Sequence, residues 1–142
     1  EESDTTPIYT LHMALIALGV VLAFTGYLPI RLKDRFPERR WFKLHMYLAP
    51  VATSGVVLGV TAAYLMVAEL SDGHLRAPHA YGGALALTIT VVVLVLGLAF
   101  LWSKGLKKGV RRPHILAGYL ALLLLLVASL SGLLRLLELG WL

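Results

Sequence analysis

Four long runs without a charged residue constrain the fold of this chain more than any other feature. They occupy positions 5–30, 44–68, 77–103 and 113–134. A helix needs about 20 apolar residues to cross the roughly 30 Å of hydrocarbon in a bilayer. Every run exceeds that length, so each can form one transmembrane helix.

These spans predict the whole architecture, because they use most of the 142 residues. We place them at about 8–30, 42–70, 78–103 and 113–137, and predict an all-α membrane protein, a four-transmembrane-helix up-down-up-down bundle forming one domain over 1–142. The composition agrees, since 58% of residues are hydrophobic and 15% are charged, against about 45–50% and 25% in soluble domains. Pro78 and Pro113 are expected at helix starts and Pro50 inside a span.

The basic residues are concentrated in two loops. Of the 13 Lys and Arg residues, 11 lie at 31–43 and 104–112. Cytoplasmic loops carry such an excess, so we expect both loops in the cytoplasm and both termini outside, in a prokaryotic cell membrane. The net charge of +5 then reflects topology, and we expect contact with membrane lipid and no nucleic-acid partner. The first residue is Glu1 rather than Met, which suits a processed precursor.

Cysteine is absent from the sequence. Its absence excludes disulfides, thiolate-ligated zinc, iron–sulfur clusters and the covalent attachment of c-type haem. A redox cofactor would need other ligands.

Four of the five histidines stand near the starts of the four successive spans: His12, His45, His79 and His114. Because successive helices run in opposite directions, the first and third lie at the outer side and the second and fourth at the cytoplasmic side. Each pair comes from diagonal helices of the bundle. Two donors on opposite faces fit haem iron, whereas zinc needs three or four donors at one place. The alternative for each is a helix-end histidine that reaches the headgroups. His74, in the outer loop, fits neither pair.

Small residues follow these histidines along the same helix face. Residues seven and fourteen positions after a histidine lie on nearly the same face of an α-helix as the histidine itself. Seven positions on, the residues are Gly19, Ala52, Ala86 and Ala121. Fourteen positions on, they are Gly26, Gly59, Val93 and Ala128. Four positions on in the last two spans, they are Gly83 and Gly118. Such a face gives room to a flat macrocycle, and it also lets membrane helices pack closely. The sequence leaves both interpretations open.

The chain resembles the cytochrome b561 family and related four-helix dihaem membrane b-type cytochromes over nearly its whole length. The motifs that carry the resemblance are short: Leu11-His12-Met13, Leu44-His45-Met46-Tyr47, Pro78-His79-Ala80-Tyr81-Gly82-Gly83 and Pro113-His114-Ile115-Leu116-Ala117-Gly118-Tyr119. In that family four core helices each give one histidine, and the first pairs with the third and the second with the fourth. The two flanking helices of the six-helix members are missing here.

The resemblance implies two non-covalent, bis-histidine haem b groups. His12 and His79 would ligate the iron of the outer haem, and His45 and His114 that of the inner haem. The further haem contacts that we expect are Gly19, Gly83 and Gly118 along the macrocycles and Arg76 at a propionate.

The expected function is transfer of electrons across the membrane between two haems whose ligand levels are about 20–25 Å apart. Bis-histidine ligation leaves iron no open position, which favours electron transfer over chemistry at the metal. An alternative is a cytochrome b subunit that anchors a larger extracytoplasmic redox enzyme and connects it to the quinone pool. A third is a haem-free structural bundle or small transporter. The expected partners are quinone and an extracytoplasmic redox protein such as a soluble or multihaem cytochrome.

Overall fold

The protein is described from a computed structural model, which covers residues 6–35, 40–69, 78–103, 105 and 107–138. Its elements are α1 (Thr6–Arg31), a short 3₁₀ helix (Lys33–Arg35), α2 (Arg40–Glu69), α3 (Pro78–Trp102) and α4 (Lys107–Glu138). In these described ranges every regular element is helical. The four α-helices are each long and apolar enough to cross a membrane, which confirms the predicted fold class.

The helix bounds differ from the predicted spans mainly at the start of α4. That helix begins at Lys107, so Pro113 lies inside it and not at its first turn, where the sequence had placed it. Lys and Arg are good helix formers, and the N–H groups of the first turn have no intrahelical partner in any helix. The basic stretch therefore extends the helix, and Pro113 removes a single backbone hydrogen bond. Pro50 lies inside α2, as predicted.

The chain divides into two compact units, Glu1–Met66 and Val67–Leu142. The first contains α1 and nearly all of α2, and we call this helix pair the first hairpin. The second contains α3 and α4, which we call the second hairpin. Each is described by itself.

Glycines bring the two helices of the first hairpin into backbone contact. A Cβ atom on Gly19 would lie 3.0 Å from the backbone nitrogen of Val56. One on Gly55 would lie 3.2 Å from the Cα of Gly19, and one on Gly59 would lie 2.8 Å from the Cδ1 of Ile16. Helices pack in membranes through such small residues, because lipid gives no hydrophobic drive for their association. The small-residue stripe of α1 and α2 is therefore explained, at these positions, by helix packing.

Alanines occupy the matching place in the second hairpin. Ala86 of α3 and Ala121 of α4 are 1% and 5% exposed, and Leu125 is 4% exposed. A Cβ atom on Gly82 would lie 3.8 Å from the Cβ of Ala128, which is ordinary van der Waals contact. The two helices of the second hairpin thus lie close together at Gly82 and Ala128.

The two buried threonines of the spans have locally satisfied hydroxyl groups. The Oγ1 of Thr53 donates to the carbonyl of Ala49 at 2.9 Å, and that of Thr90 donates to the carbonyl of Ala86 at 2.7 Å. Each bond returns to the residue four positions earlier, so no partner from another helix is needed. These threonines therefore add no unsatisfied polar group to the hydrocarbon region.

Candidate functional site

The two histidines of the first hairpin make reciprocal hydrogen bonds to the partner helix. The Nδ1 of His12 on α1 lies 2.8 Å from the carbonyl oxygen of Gly59 on α2. The Nδ1 of His45 on α2 lies 3.1 Å from the carbonyl oxygen of Gly26 on α1. Each acceptor stands fourteen positions after the histidine of its own helix. The antiparallel helices α1 and α2 thus hold both imidazole rings by the same kind of hydrogen bond, one near each end of the helix pair.

The second hairpin contains the same arrangement around His114. Its Nδ1 lies 3.1 Å from the carbonyl oxygen of Val93, which stands fourteen positions after His79. A Cβ atom on Gly97 would lie 3.2 Å from the Cε1 of His114, so this glycine lets the ring approach the backbone of α3. His79 is half-buried near the start of α3.

These bonds define the separation of the two histidine levels within each hairpin. His45 lies at the level of Gly26, and Gly26 is fourteen positions along α1 from His12. At about 1.5 Å per residue the two levels are about 21 Å apart along the helix. The same count from His79 to Val93 gives about 21 Å in the second hairpin. Both values agree with the separation expected from the sequence.

The hydrogen bonds also fix which ring nitrogen carries the proton. A carbonyl oxygen can only accept, so the Nδ1 of His12, His45 and His114 must donate its proton in these bonds. In the neutral imidazole the lone pair then resides on Nε2, the nitrogen used by many metal-ligating histidines. Metal-bound histidines commonly donate their other N–H to a backbone carbonyl or carboxylate, which orients the ring and raises its basicity. The three rings therefore have the tautomer that an iron ligand needs.

The three glycines predicted to contact haem fall into two groups. Gly19 faces the backbone of α2, so its missing side chain serves close helix packing. Gly83 and Gly118 are different, because among the described residues a Cβ atom on either would meet no atom within 4 Å beyond its chain neighbours and the adjacent backbone of its own helix. These two glycines leave room beside the protein, whereas the room at Gly19 is filled by the chain itself. Contact of any of the three with haem stays a prediction.

The positions seven places after the histidines all lie in the interior. Gly19, Ala52, Ala86 and Ala121 are each buried. The helical count from each histidine therefore identified an inward face in all four helices, although contacts between helices account for that burial at Gly19.

Arg76, the residue predicted to contact a propionate, lies outside the described residues. So does His74, which was predicted to fit neither histidine pair. Each predicted histidine pair takes one member from each unit, so the pairing of His12 with His79 and of His45 with His114 stays a prediction. Within the described ranges, no three His, Cys, Asp or Glu side chains come together in a group that could hold a metal ion.

The carbonyl acceptors of the histidines were not predicted from the sequence. Gly26, Gly59 and Val93 stand at the fourteenth position after a histidine, where a small residue was expected to make room for a cofactor or for close helix packing. The sequence did contain a signal for these bonds, because a small residue stands fourteen positions after the histidine in both α1 and α2. In two antiparallel helices, this equal spacing places each histidine opposite the carbonyl of the small residue on the other helix.

The comparisons with known proteins give one match. A family model described as eukaryotic cytochrome b561 matches residues 11–138, a range that contains all four span histidines. Neither the curated proteins nor the solved structures contain a significant match.

Proposed function

The chain belongs to the eukaryotic cytochrome b561 family, which comprises b-type haem proteins of the membrane that transfer electrons, and we propose that it carries electrons across the bilayer through two bis-histidine haems. His12 and His79 are the axial ligands at one level, and His45 and His114 are the ligands at the other. Four ligands at two levels give one haem near each membrane surface.

The observation that carries this proposal is the reciprocal bonding of His12 and His45 in the first hairpin. A histidine that only touched headgroups would have no need of a fixed orientation toward the partner helix. Here both Nδ1 atoms donate to carbonyls, and the bonds are repeated by His114. The repetition at two levels about 21 Å apart supports one ligand site per level.

The protein's own residues supply positioning and insulation. Haem b, when bound, supplies a one-electron couple between ferrous and ferric iron. His12 with His79, and His45 with His114, would each hold one haem iron, and an iron held by two histidines would leave no open coordination site for oxygen or a substrate. The carbonyls of Gly26, Gly59 and Val93 keep the rings in the ligating tautomer. The apolar spans exclude water between the two levels.

Two glycines support the fit of a macrocycle. Gly83 follows His79 by four positions and Gly118 follows His114 by four, about one helical turn in each case. Neither position is filled by the chain. A flat ligand on the histidine of each helix would pass beside these glycines.

The orientation is proposed from charge. The two basic loops lie in the cytoplasm, so the haem of His45 and His114 is the inner one and that of His12 and His79 the outer one. Arg76, which precedes His79 by three positions in the sequence, is proposed to pair with a propionate of the outer haem. Quinone and an extracytoplasmic redox protein stay predictions as partners.

Transfer across a sealed membrane tests the function. We expect the purified haem-loaded protein, reconstituted into liposomes that enclose ferricyanide, to reduce the trapped ferricyanide when an impermeant reductant is added outside. Protein-free liposomes and liposomes with a His45→Ala protein should show only the slow leak, because one of the two levels is then missing. The proposal is overturned when both haems of the wild-type protein become reduced and the trapped ferricyanide stays oxidised.

A further inference from the structure

The start of α4 carries a groove that is basic near the N-terminus of the helix and apolar further along it. Lys108, Arg111, Arg112, Ile115 and Leu116 line a shallow, open groove along the surface of the helix. Their spacing is i, i+3, i+4, i+7 and i+8, which places all five on one face of the helix. We call this set the α4 groove.

The α4 groove lies at the level of the lipid headgroups. The candidate span Lys108–Leu137 has 30 residues, so it is about 45 Å long, which matches a bilayer including its headgroup layers. The charge-free part begins at Pro113, so the three basic residues stand just outside the hydrocarbon. Ile115 and Leu116 follow one turn deeper and are 42% and 59% exposed. The groove therefore changes from cationic to apolar in the direction in which a lipid changes from headgroup to chain.

The charges of the α4 groove lack an anion within the protein as described. None of Lys108, Arg111 and Arg112 forms an ion pair among the described residues. The first turn of α4 contains no acidic residue, and the one acidic residue of the helix, Glu138, stands at its last position. Cations at a helix N-terminus are repelled by the positive end of the macrodipole and by one another. An anion bound in the groove would remove both repulsions.

We propose that the α4 groove binds one anionic phospholipid, independently of the haem sites. Its phosphate is held by Lys108, Arg111 and Arg112, and one acyl chain lies along Ile115 and Leu116. Arginine suits this role because its planar fork donates two parallel hydrogen bonds to a phosphate. The rule that basic loops orient a chain in the membrane depends only on the number of basic residues in the loop. It does not explain why three cations and two exposed apolar residues share one helix face.

Native mass spectrometry of the haem-loaded protein tests this proposal. With phosphatidylglycerol and phosphatidylcholine offered in equal amounts, we expect the wild-type protein to retain one phosphatidylglycerol. Removal of each cation should weaken this preference roughly fivefold, so the variant K108Q/R111Q/R112Q should lose it. The single variants, which perturb the helix less, should each show a partial loss.

A charge-matched variant separates a specific site from general attraction. The variant R31Q/K33Q/R35Q removes the same number of charges from the other basic loop and leaves the α4 groove unchanged, so it should keep the bound phosphatidylglycerol. Equal loss of bound phosphatidylglycerol in both triple variants overturns the proposal, since either basic loop would then attract the lipid by its charge alone. Displacement of the lipid by inorganic phosphate at low concentration also overturns it, because the site would then be one for a soluble anion.

Discussion

Replacing His12 or His79 with alanine is expected to remove one haem, and replacing His45 or His114 is expected to remove the other. A b-type haem is held only by its axial ligands and its pocket, so the loss of one histidine leaves an iron with a single protein ligand. Each variant should fall from two haems per chain to one. Pyridine haemochrome analysis gives the count, and redox titration shows which component is missing.

The pattern among the four variants tests the pairing. His12→Ala and His79→Ala should lose the same spectral component, and His45→Ala and His114→Ala the other one. His74→Ala should retain both haems, because no stripe of small residues follows His74 along a helix. Loss of one common component in His12→Ala and His114→Ala, with that component intact in His79→Ala, would show that the helices are paired wrongly.

The glycines are expected to separate into two classes when they are enlarged to leucine. Gly59→Leu places new atoms against Ile16, where even a Cβ would lie 2.8 Å away. Overpacking of this kind typically costs about 1–3 kcal/mol. Because α1 must then move away from α2, His12 loses its carbonyl acceptor as well. We expect a lower melting temperature together with loss of one haem, measured by thermal denaturation and by the haem spectrum.

Gly83→Leu and Gly118→Leu should behave in the opposite way. In the part of the chain that the structure describes, nothing beyond the local helix backbone and the chain neighbours lies within 4 Å of a Cβ at either position, so the fold should tolerate the change. The haem should not, since the new side chain projects into the room beside the ligating histidine. Gly109→Leu is the matched control, because Gly109 also has no neighbour within 4 Å but is exposed near the start of α4. Full haem content in all three variants would mean that Gly83 and Gly118 face lipid.

The spans could be predicted from the sequence because the bilayer sets a length that charge-free runs must match. The start of α4 could not be predicted in the same way. Pro113 looked like a first-turn residue, but the basic residues before it extend the helix back to Lys107. A proline is favoured at a helix start, and it is also tolerated inside a membrane helix when neighbouring groups satisfy the freed backbone carbonyl.

The candidate site was only partly visible in the sequence. Periodicity identified the buried face seven positions after each histidine, as Ala86 and Ala121 illustrate. It could not tell whether a small residue made room for a cofactor or for another helix, because both uses need the same side chains. Gly19 and Gly83 each lie on the small-residue face that follows the histidine of their own helix, and the neighbouring atoms alone distinguish them: Gly19 faces the backbone of α2, whereas Gly83 has no such neighbour among the described residues. Backbone acceptors such as the Gly59 carbonyl cannot be recognised from the sequence, because every residue type has a backbone carbonyl.

The central claim is that one chain holds two haems, one at each histidine level. The most direct measurement is the haem b content of the purified full chain, with protein quantified by amino-acid analysis and haem by the pyridine haemochrome. The account predicts two haems per chain and a reduced-minus-oxidised spectrum of the b type. A content of one haem per chain in fully loaded protein would contradict it, because one of the two histidine levels would then have no ligand role.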